Sequence, residues 1–318
     1  MKKILVMHQI PTCGFDELAD DFEIIFPKGD KFTEEELEKH IAEIDAIVSI
    51  FGHKLTHDII DKATHLKLIA NFGVGYDNID IPYVTSKGIV VTNTPDPVTE
   101  PTAELAMGLM VALSRKIGFL NNQLRKPEGV ITGVMKNLST TLTGKTLGII
   151  GMGAIGQALA RRAVAFGMRI IYYNRNKLSQ QIEEQYQAAR FEFSELLQQA
   201  DVVSLNCPLT PETHHLIGEK EFKLMKDSAY IINTARGPVI NEKELIEALE
   251  NKEIAGAGLD VYENEPYIPT ELLAMNNVVL TPHTGTATLE TREEMSRLVS
   301  EIIRNFFNGT LNNYIVNR

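Results

Sequence analysis

Tryptophan is absent from this 318-residue chain, cysteine occurs only twice, and no apolar run approaches the ~20 residues that a membrane-spanning helix needs. Cys13 and Cys207 are too few for a disulfide framework and form no C-x-x-C metal pattern, so a metal site has no support and a reducing cytosol is the expected home. Positive charge is scarce too: 31 Lys and Arg face 42 Asp and Glu, a formal net charge of -11. With no basic block in the chain, a nucleic-acid surface is excluded as an expectation. An anion can still be bound where positive charge is gathered locally, which makes single arginines worth following. The opening Met1-Lys2-Lys3 is followed by only four apolar residues, Ile4 to Met7, before His8. That is short of the ~7–15 of a signal peptide, and it reads instead as a first buried strand.

What is present is ordinary globular material, 44% hydrophobic and 23% charged. At ~150 residues per domain, the length fits about two domains. Short apolar, β-branched runs recur at Lys3–Met7, Ala46–Ile50, Leu68–Asn71, Ile89–Asn93, Thr146–Ile150, Arg169–Asn174, Asp201–Asn206, Ala229–Thr234, Gly256–Val261 and Val278–Pro282. Runs apolar on both faces, with helical spacing between them, predict a parallel α/β architecture. Pro101 is expected to open a helix over Thr102–Lys116, which is apolar enough for a core or an interface. Asn241 is expected to cap Glu242–Asn251 in a box with Glu244, and Thr288–Phe307 to be a long amphipathic helix stopped by Gly309. Residues 124–144 lack periodicity and read as a loop-rich connection, with Asp96–Thr99 as the other candidate for a domain crossing.

Gly151-Met152-Gly153-Ala154-Ile155-Gly156 sets G-x-G-x-x-G between an apolar strand and a helix expected over Ala154–Phe166. In that context Gly151 makes the tight turn, Gly153 lets a pyrophosphate reach the backbone, and Gly156 lets helix and strand pack closely. FAD, NAD(P) and nucleotide-donor enzymes all remain open at this step. The next strand ends at Asn174, followed by Arg175, where an acidic residue usually takes the ribose 2′-OH. A carboxylate ~4 Å from a 2′-phosphate would cost a few kcal/mol at an effective dielectric near 20. Its replacement by Asn174 and Arg175 favours NADP(H). The alternative keeps NAD(H), with Arg175 solvated and Asn174 on the ribose.

Three later strands run into Arg236, Glu265 and His283. Ligands of open α/β sheets bind beyond the carboxyl ends of strands, so one cleft can hold all three. Reducing a keto group calls for a proton donor titrating near neutrality, a carboxylate to orient it, and a guanidinium to grip an adjacent carboxylate. Taken singly, Arg236 also suits a surface ion pair, Glu265 an ordinary loop and His283 a satisfied strand end.

The stretches Gly75-Tyr76-Asp77-Asn78-Ile79-Asp80, Gly148–Gly156, Asn233-Thr234-Ala235-Arg236-Gly237, Leu259–Pro266 and Thr281-Pro282-His283 together resemble, in order, the motifs of the D-isomer-specific 2-hydroxyacid dehydrogenase family. Gly73-Val74-Gly75-Tyr76-Asp77 is similar to the glyoxylate/hydroxypyruvate reductase and phosphoglycerate dehydrogenase branches. The resemblance implies a Rossmann-type doubly wound parallel sheet for the cofactor, residues 100–286, and a smaller flavodoxin-like α/β substrate domain, residues 1–99 and 287–318. It implies Arg236 as the substrate arginine, His283 as acid/base, Glu265 as its partner, and Val74 and Gly75 as the loop on the substrate carboxylate. It further implies Ala154 and Ile155 on the pyrophosphate, Cys207, Pro208 and Thr213 along the adenosine half, Thr234, Ala235 and Gly285 lining the cofactor, and Asp260 facing the carboxamide. A cytoplasmic homodimer is expected, its domains closing over a small 2-keto acid. His53 could approach that substrate or be a core or surface histidine.

Two departures weaken transfer of any one relative's substrate: Asn174 replaces the usual acid, and the tryptophan that many relatives carry before the glycine loop is missing. Two other activities remain on the same scaffold, a cofactor-sensing corepressor without turnover, and formate or phosphite oxidation.

Overall fold

The computed structural model of the protein describes residues 1–50 and 52–318. The chain divides into two compact units, one of Met1–Val98 with Thr286–Arg318 and one of Thr99–Gly285. Among the described residues, the first unit contains five parallel strands: β1 (Lys2–Val6), β2 (Phe22–Ile25), β3 (Ala46–Ile50), β4 (Leu68–Phe72) and β5 (Val90–Thr92). Their order, β2-β1-β3-β4-β5, is the flavodoxin-like one. The strands are apolar on both faces because both faces are covered. Leu5 and Ile69 pack with Ile41, Ile44 and Ile60 on one side. Ile4, Val6, Leu68, Ala70 and Phe72 pack with Phe15, Phe22 and Val98 on the other.

The last helix, Leu289–Phe307, covers that second side with Met295, Val299 and Ile303, a stripe at i, i+4, i+8. Thr288 caps it by accepting from the Thr291 N–H at 3.2 Å. At its other end Gly309 takes a left-handed φ of 71°, and the N–H groups of Gly309 and Thr310 return to Phe306 and Asn305. This is a Schellman stop, which glycine adopts without a Cβ penalty.

The second unit carries, among its described residues, a parallel sheet of β6 (Thr146–Ile150), β7 (Arg169–Tyr173), β8 (Ala188–Arg190), β9 (Val202–Leu205), β10 (Tyr230–Asn233), β11 (Gly256–Leu259) and β12 (Val278–Leu280). The order β12-β11-β10-β9-β6-β7-β8 extends the doubly wound dinucleotide fold by one strand. Successive strands are added in one direction from β6 to β8 and in the opposite direction from β9 to β12, so the strand order switches between β6 and β9. The crevice of the unit therefore opens beyond Ile150 and Leu205, between the glycine loop and Asn206-Cys207-Pro208.

Four local expectations are corrected. The helix expected from Thr102 begins at Pro95 and ends at Ser114, so Pro101 lies inside it. Pro95 and Pro97 sit in the first turn, where a missing N–H removes no helical bond. Its stripe of Ala103, Ala106, Met110 and Leu113 is core, buried with Leu147, Ile149 and Leu159, which leaves it no interface role. A further helix, Ile117–Leu124, follows Lys116 at φ 56° and buries none of its residues, so its sequence carries no core stripe to read. Only half of the Asn241 capping box forms: Asn241 accepts from the Glu244 N–H at 3.2 Å, while Glu244 turns away to accept the Glu219 N–H at 2.7 Å. Strands β2 and β8 were not anticipated; each is an edge strand, short and partly exposed. No helix among the described residues is long and apolar enough to cross a membrane.

Candidate active site

The three glycines of the loop after β6 meet three different demands. Gly151 has a left-handed φ of 92°, and a Cβ there would lie 2.7 Å from the Cys207 nitrogen. At Gly156 a Cβ would lie 2.6 Å from the Gly151 oxygen, so only glycine lets this helix start against the loop. A Cβ at Gly153 would meet nothing within 4 Å, which leaves open space over the N-terminus of the helix Ala154–Ala165. That terminus has no side-chain cap, so its first-turn N–H groups, Ala154 and Ile155 among them, are suited to an anion. Across the crevice, Asn206 Oδ1 and Thr234 Oγ1 are buried without a hydrogen-bond partner. Orphaned polar atoms around an open glycine cradle fit a dinucleotide.

Neighbouring segments are fixed by their own bonds. Thr213 Oγ1 donates to the Pro208 carbonyl at 2.6 Å and accepts from the Thr210 N–H at 2.8 Å, closing the turn after Cys207. At the end of β7, Asn174 Oδ1 accepts the Met152 N–H at 2.7 Å, tying this strand end to the glycine loop. The following turn is held by Tyr172, whose hydroxyl accepts the Leu178 N–H at 3.0 Å and donates to Glu183 at 2.7 Å. Lys177 pairs with the same Glu183 at 3.2 Å, while Arg175 stands exposed beside Asn174.

Glu265 and His283 meet directly: a Glu265 oxygen lies 2.7 Å from His283 Nδ1. The other Glu265 oxygen accepts the Tyr262 N–H at 3.1 Å, which keeps the carboxylate from swinging away. The backbone of His283 is itself unusual, at φ 52°, a region that costs a side chain-bearing residue about 1–3 kcal/mol. It is held there by its N–H donating to the Asp260 carbonyl at 2.8 Å. The Asp260 carboxylate, 1% exposed, accepts Thr281 Oγ1 and the Thr284 N–H on Oδ1, both at 2.7 Å, and the Gly285 N–H on Oδ2 at 2.8 Å. Asp260 thus anchors the segment that carries His283.

Arg236 follows β10 in the turn Thr234-Ala235-Arg236-Gly237. The buried Asn233 side chain shapes this turn, accepting the Ala235 N–H at 3.0 Å and donating to the Arg236 carbonyl at 2.9 Å. A Cβ on Gly237 would lie 1.9 Å from the Tyr262 backbone, so the turn bearing Arg236 is pressed against the segment leading to Glu265. Tyr262, buried, donates to the Thr281 carbonyl at 3.0 Å, and burial raises its phenol well above the usual tyrosine range. Asn233 and Tyr262 were not singled out from the sequence. Their signal was a polar residue at the end of an apolar strand, which does not separate a catalytic group from a backbone clamp.

In the first unit, Val74 and Gly75 lie in the loop after β4, both partly or fully exposed. Among the described residues, the N–H groups of Val74, Gly75 and Tyr76 have no hydrogen-bond partner within the fold. His53 stands edge-on to His8, ring centroids 5.7 Å apart, and burial lowers both imidazoles from the usual range.

Residues 107–285 match the family described as D-isomer specific 2-hydroxyacid dehydrogenase, NAD binding domain. A glyoxylate reductase of Thermococcus litoralis is 45% identical over 99% of this chain and 97% of its own. The chain belongs to the D-isomer-specific 2-hydroxyacid dehydrogenase family. It is an oxidoreductase that moves a hydride between a nicotinamide cofactor and a 2-keto or 2-hydroxy acid. Among solved structures, a glyoxylate reductase from Paecilomyes thermophila superimposes with a TM-score of 0.89 at 38% identity, covering 99% of this chain and 98% of the other. An NADPH-dependent glyoxylate/hydroxypyruvate reductase from Sinorhizobium meliloti, in complex with NADP and malonate, gives 0.86 at 32%, covering 99% and 96%.

Cys207 lines the same crevice, and burial pushes its thiol up to about 11. At pH 8 that leaves about one thiol in a thousand ionised. Iodoacetamide at pH 8 is therefore expected to spare the Cys207 peptide in the folded protein; rapid modification of that peptide, read by mass spectrometry, would contradict the burial.

Proposed function

We propose that the protein reduces glyoxylate or hydroxypyruvate to the corresponding 2-hydroxy acid, with NADPH preferred to NADH. The observation that carries this reading is the 2.7 Å contact of Glu265 with His283 Nδ1, on a loop tied to the Arg236 turn. With Nδ1 turned to the carboxylate, the proton available to a substrate is the one on Nε2. A reduced nicotinamide dinucleotide, held by its pyrophosphate at the glycine loop, would supply the hydride. His283 gives its Nε2 proton to the former carbonyl oxygen, which becomes the product hydroxyl, and Glu265 stabilises the imidazolium before that transfer. The Arg236 guanidinium is suited to grip a substrate carboxylate and polarise the adjacent carbonyl, and the Val74 and Gly75 N–H groups of the first unit are suited to a carboxylate as well.

On the cofactor side, Ala154 and Ile155 take the pyrophosphate, and Cys207, Pro208 and Thr213 line the adenosine half. Thr234, Ala235 and Gly285 line the nicotinamide half. Asp260 Oδ2, which among the described residues accepts the Gly285 N–H alone, has capacity for the carboxamide. The NADPH preference rests on Asn174. Its oxygen is committed to the Met152 N–H, so the group it has left for a ribose is its NH₂ donor, with Arg175 beside it in the chain. Donor and cation suit a phosphate better than a hydroxyl. A cofactor-sensing protein without turnover is not favoured: the Glu265–His283 pair beside the Arg236 turn is a set that turnover calls for and sensing does not. Cytosolic residence fits the two free cysteines.

Steady-state reduction of glyoxylate and hydroxypyruvate with each cofactor tests the proposal. Turnover of both acids is expected, and His283→Ala should slow it by ~10²–10⁴. Activity of that variant within a few-fold of the parent would remove His283 from the proton-transfer role.

The same assay decides the cofactor. Arg175→Ala is expected to lower kcat/KM with NADPH about tenfold, the worth of one charge-assisted bond, and to leave NADH unchanged. Equal or better kcat/KM with NADH in the parent enzyme would overturn the preference.

A homodimer is supported by apolar exposure along one stretch of the second unit. Val134 is 94% and Met135 75% exposed, with Ile117, Leu124, Ile131 and Leu138 also in solvent. Large apolar side chains concentrated in this way mark an association surface. Light scattering at micromolar concentration is expected to give twice the chain mass, and a double change of Val134 and Met135 to Asp to give the monomer; a monomeric parent would refute the dimer.

A further inference from the structure

We infer that Asn71 is a positioning residue, a buried amide that sets the loop Gly73–Tyr76 so that its N–H groups face a substrate carboxylate. The inference rests on the reading of Val74 and Gly75 as carboxylate-binding groups. Asn71 lies in β4 and is 1% exposed, beside the equally buried Ser49 of β3. Its Oδ1 accepts from Ser49 Oγ at 2.9 Å. Its Nδ2 donates to two carbonyls of the loop, Gly73 at 3.0 Å and Gly75 at 2.8 Å. Carbonyl oxygens only accept, so the NH₂ of the amide must face the loop and its oxygen must face Ser49.

The consequence follows from peptide geometry. In a trans peptide the C=O and the next residue's N–H point in opposite directions. Drawing in the Gly73 and Gly75 carbonyls turns the Val74 and Tyr76 N–H groups outward. Two neighbours complete the arrangement: Asn93 Nδ2 donates to the Val74 carbonyl at 2.9 Å, and the Thr94 N–H donates to that of Gly73 at 3.0 Å. All three carbonyls of Gly73, Val74 and Gly75 are thus spoken for, and the N–H groups of Val74, Gly75 and Tyr76 are left to an incoming anion. Successive N–H groups presented in this way form an anion-binding concavity.

Asn71→Asp tests the role with little change of volume. It keeps an acceptor for Ser49 and replaces the double donor by an oxygen that faces two carbonyls. The expected result is a rise in KM for glyoxylate of roughly tenfold, with kcat less affected and NADPH affinity within about twofold. A residue that served only stability would not move KM selectively. Ser49→Ala, which frees the amide to turn, is expected to raise KM about threefold and stands in should Asn71→Asp fail to fold. In the parent enzyme, oxalate should shift the backbone amide NMR signals of Val74 and Gly75. If it does, and KM in the folded variants stays within about twofold of the parent, the role of Asn71 is overturned and the carboxylate reading stands. If the parent's signals do not respond to oxalate, that reading fails and the inference with it.

Discussion

The buried carboxylate of Asp260 is the constraint on which the catalytic half of the molecule depends. A carboxylate taken out of water costs several kcal/mol unless donors replace its hydration. Here the donors are Thr281 Oγ1, both the N–H and the hydroxyl of Thr284, and the Gly285 N–H. Four donors from three residues of one short segment after β12 leave that segment a single path. The path forces His283 into a left-handed backbone conformation, and the main-chain bond from His283 to the Asp260 carbonyl holds it there. Backbone strain at His283 is thus balanced by hydrogen bonding at a neighbouring carboxylate to which no proton transfer is assigned.

A second hierarchy stands beside the first. Glu265 meets the imidazole on one oxygen and the Tyr262 N–H on the other, and Tyr262 is in turn fixed through its hydroxyl to the carbonyls of Leu259 and Thr281. Thr281 also donates to Asp260, so the two arrangements share a residue. The Arg236 turn joins through close backbone contact at Gly237 rather than through another side-chain bond. A group that must keep its orientation while a proton leaves and returns is best held by neighbours that do not titrate in the working range, and main-chain N–H and C=O groups meet that need.

The sequence announced the proposed reacting groups more clearly than their supports. Arg236, Glu265 and His283 could be singled out because reductive chemistry calls for those residue types at strand ends, and the glycine spacing was legible because each glycine answers a steric demand. Asn233, Asn174 and Tyr262 escaped, or were read for another purpose, because their partners are backbone atoms, which every residue possesses and no motif records. The same reasoning separates the strands. Interior strands such as β6 and β9, buried on both faces, show as continuous apolar runs. The edge strands β2 and β8 each pair on one side only and lack that signature. The helix Ile117–Leu124 buries none of its residues fully, so no stripe marked it.

An acidic chain that handles anions raises the question of where the attraction comes from. A net charge of -11 spread over the surface is screened within about 8 Å at physiological salt, so it has little force inside a crevice. The proposed anion contacts of the second unit are few formal cations, Arg236 and Arg175, together with main-chain N–H groups at the helix Ala154–Ala165; those proposed for the first unit are the N–H groups of Val74 and Gly75. Backbone dipoles add nothing to the formal charge and cannot be counted in a composition. Their strength comes from being fixed in place before the ligand arrives, so that little reorganisation is needed on binding. A chain can therefore keep an acidic, soluble exterior and still bind a phosphorylated cofactor and a carboxylate substrate, provided that the loops presenting those N–H groups are held rigidly from behind.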